Sequence, residues 1–255
     1  MKFCTVLLLL FWPCLSQANT VFSVCYEGSG MAPFISAGSD ESQPVGFLVQ
    51  MLNAAAAPLG ITLHYQQAPW LRCQKMVQQN ELNATLAMIW SAERDLQYRF
   101  PDQQSGTQQS KRYLWQAEYP VFHAITTPFV LAQYQPRFGI SAPLGYIVED
   151  WLAQKGWLSP YKFTLDDGLK MVSDGKLDGY SAERLIGSNH LQQLGLDDKV
   201  AISDDNLLVE NWHIVFNQSF YTQNTQLVEQ FWSNLIAARQ QLEARHFDLY
   251  IKPPH

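Results

Sequence analysis

Lys75-Met76-Val77-Gln78-Gln79-Asn80-Glu81-Leu82-Asn83-Ala84 returns 95 positions later as Lys170-Met171-Val172-Ser173-Asp174-Gly175-Lys176-Leu177-Asp178-Gly179. Three identical residues open both stretches. Each then reaches Asn80 or Gly175, residue types that tolerate left-handed backbone well, so each reads as a helix stopped by a left-handed cap. A short strand follows, carrying Leu, then Asn or Asp, then a small residue. Helix–cap–strand junctions recur in any chain that alternates these elements. The run of identities at one register nevertheless favours two lobes of similar architecture.

Outward from the first stretch, Pro69 starts its helix, and Trp70, Cys73 and Val77 share one face. Ile61 to Tyr65 reads as a strand. Gly46 to Ala57 places Leu48, Met51, Leu52 and Ala55 at helical spacing and is ended by Pro58 and Gly60. Val21 to Cys25 is a short strand closed by the turn-forming Glu27-Gly28-Ser29-Gly30. Around the second stretch, Arg137 to Ser141 reads as a strand. Ala142-Pro143-Leu144-Gly145-Tyr146 then turns into a helix through Gln154, with N–H groups at a positive helix end that suit an anion. Trp212 to Asn217 reads as a strand. Gln226 to Gln241 is an amphipathic helix with Leu227, Phe231, Leu235 and Ala238 on its core side. The polar, glutamine-rich stretch from Arg99 to Tyr113 reads as an exposed loop. The alternation predicts an α/β fold with a largely parallel sheet.

Residues 1–18 read as a cleavable signal peptide. Lys2 precedes the apolar run Thr5 to Trp12, Pro13 breaks it, and Ser16-Gln17-Ala18 has the small-residue ending of a cleavage site. A bilayer-spanning helix takes about 20 apolar residues, more than this run offers. Phe11-Trp12-Pro13 is too bulky to make Cys14 a lipid-attachment site. The mature chain is therefore expected in the periplasm, with no membrane insertion. A net charge of −6 argues against nucleic acid, whose binding is driven by basic residues on phosphates. With 47% hydrophobic and 13% aromatic residues the chain can bury a large core, in one domain or in two lobes of about 100 residues.

Of four cysteines only Cys25 and Cys73 lie beyond the leader. In an oxidising compartment they suggest one disulfide, worth about 4 kcal/mol in the chain-entropy account, with two separate buried thiols as the alternative. The six scattered histidines and the lack of a CxxC pair speak against zinc, and no cofactor is expected. No GxSxG elbow, HExxH motif or Walker loop occurs.

Several short motifs follow one another in a telling order. They are Met31-Ala32-Pro33-Phe34, Val45-Gly46-Phe47, Pro69-Trp70-x-Arg72-Cys73, Ser91-x-Glu93-Arg94, Gly139-Ile140, Leu144-Gly145-Tyr146 and Gly175-Lys176-Leu177-Asp178-Gly179. Over essentially the whole mature chain they resemble extracellular solute-binding protein family 3, the type II periplasmic binding fold typified by polar amino-acid receptors of ABC importers. The resemblance implies a two-lobed α/β fold with two crossover strands, near Tyr119 to Thr126 and Trp212 to Asn217. Lobe one would comprise 19–120 and 216–255, lobe two 121–215, with the ligand enclosed between them. It also implies that Cys25 and Cys73 lie close together.

By the same resemblance Arg94 grips a ligand carboxylate, which suits the fork of a guanidinium. Glu183 stands where the family has an aspartate that holds the ligand's ammonium group, and Glu27 stands near the family's acidic position after the first strand. Trp70 matches a pocket-wall position, and Tyr26, Met31, Trp90 and Tyr146 are further candidate walls. The family's small hydroxyl residues before the arginine are replaced by Ala87-Met88-Ile89-Trp90, leaving Ser91 as the polar group there. Met31 replaces an aromatic residue that often stacks on the ligand. The function implied is capture of a small polar, carboxylate-bearing ligand for an ABC permease by a monomer that is not an enzyme. The alternatives are a cyclohexadienyl-dehydratase-like enzyme using Glu183 or Glu27 as its acid, and a stand-alone sensor reporting to a membrane partner.

Overall fold

The computed structural model describes residues 20–28, 31–36, 38, 43–102 and 110–251. The signal peptide expected over 1–18, and Ser29-Gly30 of the expected turn, lie outside them.

Chain order begins with β1 (Thr20–Glu27), α1 (Phe47–Ala56), β2 (Ile61–Ala68), α2 (Trp70–Gln78), β3 (Ala84–Ile89), α3 (Ala92–Gln97) and β4 (Tyr98–Arg99). The long β5 (Trp115–Ala124) leads to a shorter series: β6 (Ile140–Ser141), α4 (Ile147–Gln154), α5 (Leu165–Ser173), β7 (Gly179–Ser181) and α6 (Arg184–Leu194). β8 (Val200–Asn217) returns the chain, and α7 (Gln218–Gln223) and α8 (Thr225–Ile251) complete it.

The two echoing stretches close their helices with the same hydrogen bonds. Gln79 N donates to Lys75 O, Asn80 N to Val77 O and Glu81 N to Met76 O. Asp174 N, Gly175 N and Lys176 N donate to Lys170 O, Val172 O and Met171 O. Asn80 and Gly175 take φ of 60° and 68°, the left-handed geometry of such a cap. The polar residue before each following strand then ties down a neighbour. Asn83 Oδ1 accepts from the Ser23 backbone N and hydroxyl, both at 2.8 Å. Asp178 Oδ2 accepts from the backbone N of Arg137, Phe138 and Gly139 and from the Tyr134 hydroxyl, at 2.7–2.9 Å.

The sheet order is β2-β1-β3-β8-β5-β7-β6, with β4 also against β8. Only the outer pairs β1–β2, β1–β3 and β6–β7 are parallel. β8 runs antiparallel to β3, β4 and β5, and β5 antiparallel to β7. The expectation of a largely parallel sheet is thereby corrected. A strand that leaves one half and a strand that returns to it must point in opposite directions, so the centre is antiparallel. These two strands pair as one ribbon from Trp115 opposite Trp212 to Ala124 opposite Val200, with register breaks on both sides of Pro120. Proline has no N–H for the ladder, so a bulge there is expected. Before the break, β8 residues Trp212–Phe216 pair with β3; beyond it, Val121-Phe122 pair with β7.

The first half is the heavier. Phe22, Leu48, Met51, Leu52, Phe216, Phe231, Trp232 and Leu235 are fully buried between its sheet, α1 and α8. On the other face Val77, Met88, Tyr98, Phe100 and Val215 surround the Cys25–Cys73 disulfide, which joins β1 to α2. The second half has a smaller core around Phe122, Leu169, Val172 and Tyr180. α8 buries Phe231, Leu235 and Ala238 as its periodicity requires, and Asn234 Nδ2 donates to Ala55 O of α1 at 3.1 Å. The exposed-loop reading of Arg99 to Tyr113 needs correcting at both ends. Arg99 belongs to β4, Phe100 is fully buried, and Arg112 pairs with Glu229 and Asp102. One buried aromatic overrides the polar composition around it.

Candidate functional site

The site forms where both halves meet the ribbon. Glu27 ends β1, Trp70 opens α2, Leu86, Ala87 and Ile89 come from β3 and Arg94 from α3; Tyr119 and Trp212 face in from β5 and β8, and Tyr146 and Ile147 begin α4. These residues enclose a free volume of about 10 Å³, room for roughly one water molecule.

Arg94 reaches this place because Ser91 caps α3, its hydroxyl accepting from Arg94 N at 3.2 Å. The arginine is only 9% exposed. Its Nη1 donates to Ile89 O and its Nη2 to Gly145 O, both at 3.0 Å, so the guanidinium touches both halves. Burial pulls its pKa down, against the field of Asp150 and Glu93. Neither acid forms an ion pair with it among the described residues. Two of the five guanidinium donors are spent on carbonyls, which leaves donors for an anion.

Two more contacts span the halves beside it. Trp70 Nε1 donates to the same Gly145 O at 3.0 Å, and the Tyr146 hydroxyl donates to Glu27 Oε2. Gly145 takes φ 77°, left-handed backbone that a residue with a side chain rarely adopts. Burial raises the Glu27 carboxyl above its ordinary range, opposed by the Tyr146 hydroxyl. Burial first, and the Glu27 charge next, push Tyr146 well above the usual tyrosine value, so it stays a donor.

Of the residues expected at the site, Arg94, Glu27, Trp70, Met31 and Tyr146 come together in this cleft. Glu183 does not line it. Its Oε2 accepts from Leu185 N at 2.8 Å and Ile186 N at 3.0 Å, capping α6, and its Oε1 accepts from Trp115 Nε1 at 3.2 Å. Burial pushes this carboxyl up to about 7 against those three donors. The side chain satisfies the first turn of its own helix. Trp90 packs on the disulfide cluster, and Ser91 acts as a cap. Tyr26 is buried in the first-half core, its hydroxyl donating to Gln67. The N–H of Gly145, offered to an anion in the sequence reading, donates to Glu149 Oε2 of its own helix at 2.6 Å.

Sequence reasoning missed Tyr119 and Trp212, which are buried and joined by a 3.0 Å bond from Trp212 Nε1 to the Tyr119 hydroxyl. Both fall inside the expected crossover strands, so an aromatic residue on those strands was the signal available. Ala87, with φ 61° at the β3 bulge, is a strained wall residue that nothing in the sequence marks. Among the described residues no group of three or more His, Cys, Asp or Glu is placed to hold a metal, and no helix is long and apolar enough to cross a membrane.

The fold has many relatives of known structure. A histidine kinase sensor domain with similarity to periplasmic binding proteins matches with a TM-score of 0.72 at 16% identity, over 92% of this chain and 99% of its own. The substrate-binding protein of an amino acid ABC transporter gives 0.71 at 16%, over 91% and 100%. The arginine-, lysine-, histidine-binding protein ArtJ from the thermophilic bacterium Geobacillus stearothermophilus gives 0.71 at 16%, over 92% and 97%. No curated protein sequence matches the chain. The profile of the bacterial extracellular solute-binding proteins, family 3, matches residues 23–251. With strand order, crossover ribbon and sequence profile in agreement, the chain belongs to that family.

Proposed function

We propose that this protein captures a small carboxylate-bearing, amino-acid-like molecule in the periplasm and delivers it to an ABC permease. Its lobes would be residues 19–120 with 216–255 and residues 121–215, with crossover strands near Tyr119 to Thr126 and Trp212 to Asn217. The observation that carries the reading is Arg94, a nearly buried guanidinium that two backbone carbonyls hold at the cleft without an ion-pair partner among the described residues. A buried charge without a counter-ion is costly, and a ligand carboxylate meets it with paired hydrogen bonds. Glu27, the acid on the same wall, is the group to receive an ammonium. The contacts of Arg94, Trp70 and Tyr146 across the cleft are those that opening would break and closure on a ligand would re-form. A family of extracellular binding proteins, and structural relatives that bind amino acids for transporters, support the same reading.

Mass spectrometry of molecules released from the purified protein identifies the ligand, and calorimetry tests the role of Arg94. Arg94→Ala is expected to weaken binding by about 1.5–3 kcal/mol, the range for a charged hydrogen bond. Unchanged affinity rejects the role. Incubation with prephenate or arogenate is expected to yield no product; turnover would establish the enzyme reading instead.

A further inference from the structure

Residues 119–148 carry one charged side chain, Arg137, in a chain that is 16% charged overall and has a net charge of −6. The middle of that stretch, 125–139, links β5 to β6 and forms an outer face of the second half together with Trp151 of α4 and Trp157 just beyond it. Four rings lie in a row there. Centroid distances are 5.1 Å from Phe129 to Tyr134, 5.0 Å from Tyr134 to Trp157 and 5.6 Å from Trp157 to Trp151. All four are half-buried, and beside them Ile125, Val130 and Phe138 are 54%, 48% and 39% exposed. None of these residues lines the cleft. We propose that this face docks a second copy of the chain, as a twofold pair that uses no residue of the cleft.

Composition, order and charge carry the assignment. Aromatic residues with an arginine and few other charges are the make-up of a protein–protein interface core, and a contiguous apolar patch needs a cover that a lone exposed leucine does not. The face is also held in shape before any partner arrives. Asp178 Oδ2 accepts from the backbone N of Arg137, Phe138 and Gly139 and from the Tyr134 hydroxyl, and Gln133 N donates to Val130 O at 3.0 Å. Little ordering is then left to oppose docking. A lipid surface suits it less well, since anionic membranes are read by clusters of basic residues, and this face has Arg137 and Lys155 in an acidic chain. Two acidic copies repel one another over most of their surfaces and meet least opposition where acids are missing. Asp178 is spent on its four donors, and Asp150 stands toward the cleft, in the field of Arg94. Both cations already lie on rings of the face itself, Arg137 4.6 Å from the Phe138 centroid and Lys155 5.5 Å from that of Trp151. A twofold mate brings the same rings to them again, so neither needs an acid from the other copy.

Sedimentation equilibrium of the mature protein tests the pair. The mass is expected to rise from that of one chain toward twice that value, with the midpoint below about 100 μM, as for a modest interface. Phe138→Glu and Val130→Glu should each weaken association at least tenfold with unchanged unfolding midpoints. Leu96→Glu, at a leucine 84% exposed on α3 of the first half, should change it less than twofold. Hydrogen exchange of the unaltered protein supplies a readout that needs no variant: amides of 129–138 should slow severalfold as concentration rises, and those of α2 should not. A single chain up to about 1 mM overturns the proposal. So does a pair that tolerates both face variants or is broken by Leu96→Glu. A protein that stays single but sediments with phosphatidylglycerol-containing vesicles, and loses this with Phe138→Glu, overturns it in favour of a lipid surface.

Discussion

The two halves share a junction and a chain path, yet they contribute different things to the cleft. After β3 a serine caps the next helix, and the third residue of that turn, Arg94, is released into the cleft. After β7 the corresponding helix is capped by Glu183, which is consumed by that task and buried. The first half therefore brings the charged groups, Arg94 and Glu27, while the second brings a backbone carbonyl at Gly145 and a phenol at Tyr146. A shared junction does not distribute chemistry equally; the residue that caps a helix decides whether a charge faces the cleft.

The largest effect expected from breaking the symmetry concerns the disulfide, which exists in the first half alone. Cys25 precedes Glu27 by two residues and Cys73 follows Trp70 by one helical turn, so the bridge braces two walls of the cleft. Replacing both cysteines with serine should cost about 4 kcal/mol in denaturant unfolding. Hydrogen exchange should rise in β1 and α2 before it rises in β6 and β7; a uniform rise would mean that the halves unfold as one unit.

Next come the two anchors. Asp178 serves four donors and Asn83 serves two groups of one serine, so Asp178→Ala should cost about 3 kcal/mol and Asn83→Ala about 1–2 kcal/mol in urea unfolding. The reverse order would break the parallel drawn between the junctions.

The Glu183 cap is smaller in effect but has a distinct pH signature. Its folded carboxyl lies near 7, above the ordinary value of 4.5, so the folded protein holds this proton more tightly than the unfolded chain. The associated stabilisation is complete below about pH 4.5 and is lost as pH rises through about 7. Glu183→Gln should remove that part of the pH slope, on the order of 2 kcal/mol between pH 5 and pH 8. Parallel stability profiles for the two proteins would show that Glu183 does not titrate in this range.

Much of the fold was legible because it depends on local signals. The left-handed caps at Asn80 and Gly175, the buried face of α2 and the core stripe of α8 follow from backbone tolerance and helical spacing alone. Cys25 and Cys73, the two cysteines beyond the expected leader, form the disulfide that the sequence suggested. The antiparallel ribbon was harder to see, because β5 and β8 lie far apart in sequence and neither strand carries a mark of its partner. Arg94, Glu27, Met31, Trp70 and Tyr146, singled out through the family's motif order, meet at one cleft. Glu183 is harder to read, because a carboxylate at a helix start suits both a ligand ammonium and the helix's own N–H groups; here it accepts from Leu185 and Ile186. Tyr119 and Trp212 depend on which face of a twisted ribbon points inward, which the alternation around Pro120 obscures.

A crystal structure of the protein with its co-purified ligand is the most direct trial of the carboxylate anchor. The account predicts a ligand carboxylate within about 3 Å of the Arg94 guanidinium nitrogens, with Glu27 facing the ligand and Glu183 still on Leu185 and Ile186. A ligand seated elsewhere, or one whose ammonium has drawn Glu183 off its helix while Arg94 keeps only backbone partners, would contradict it.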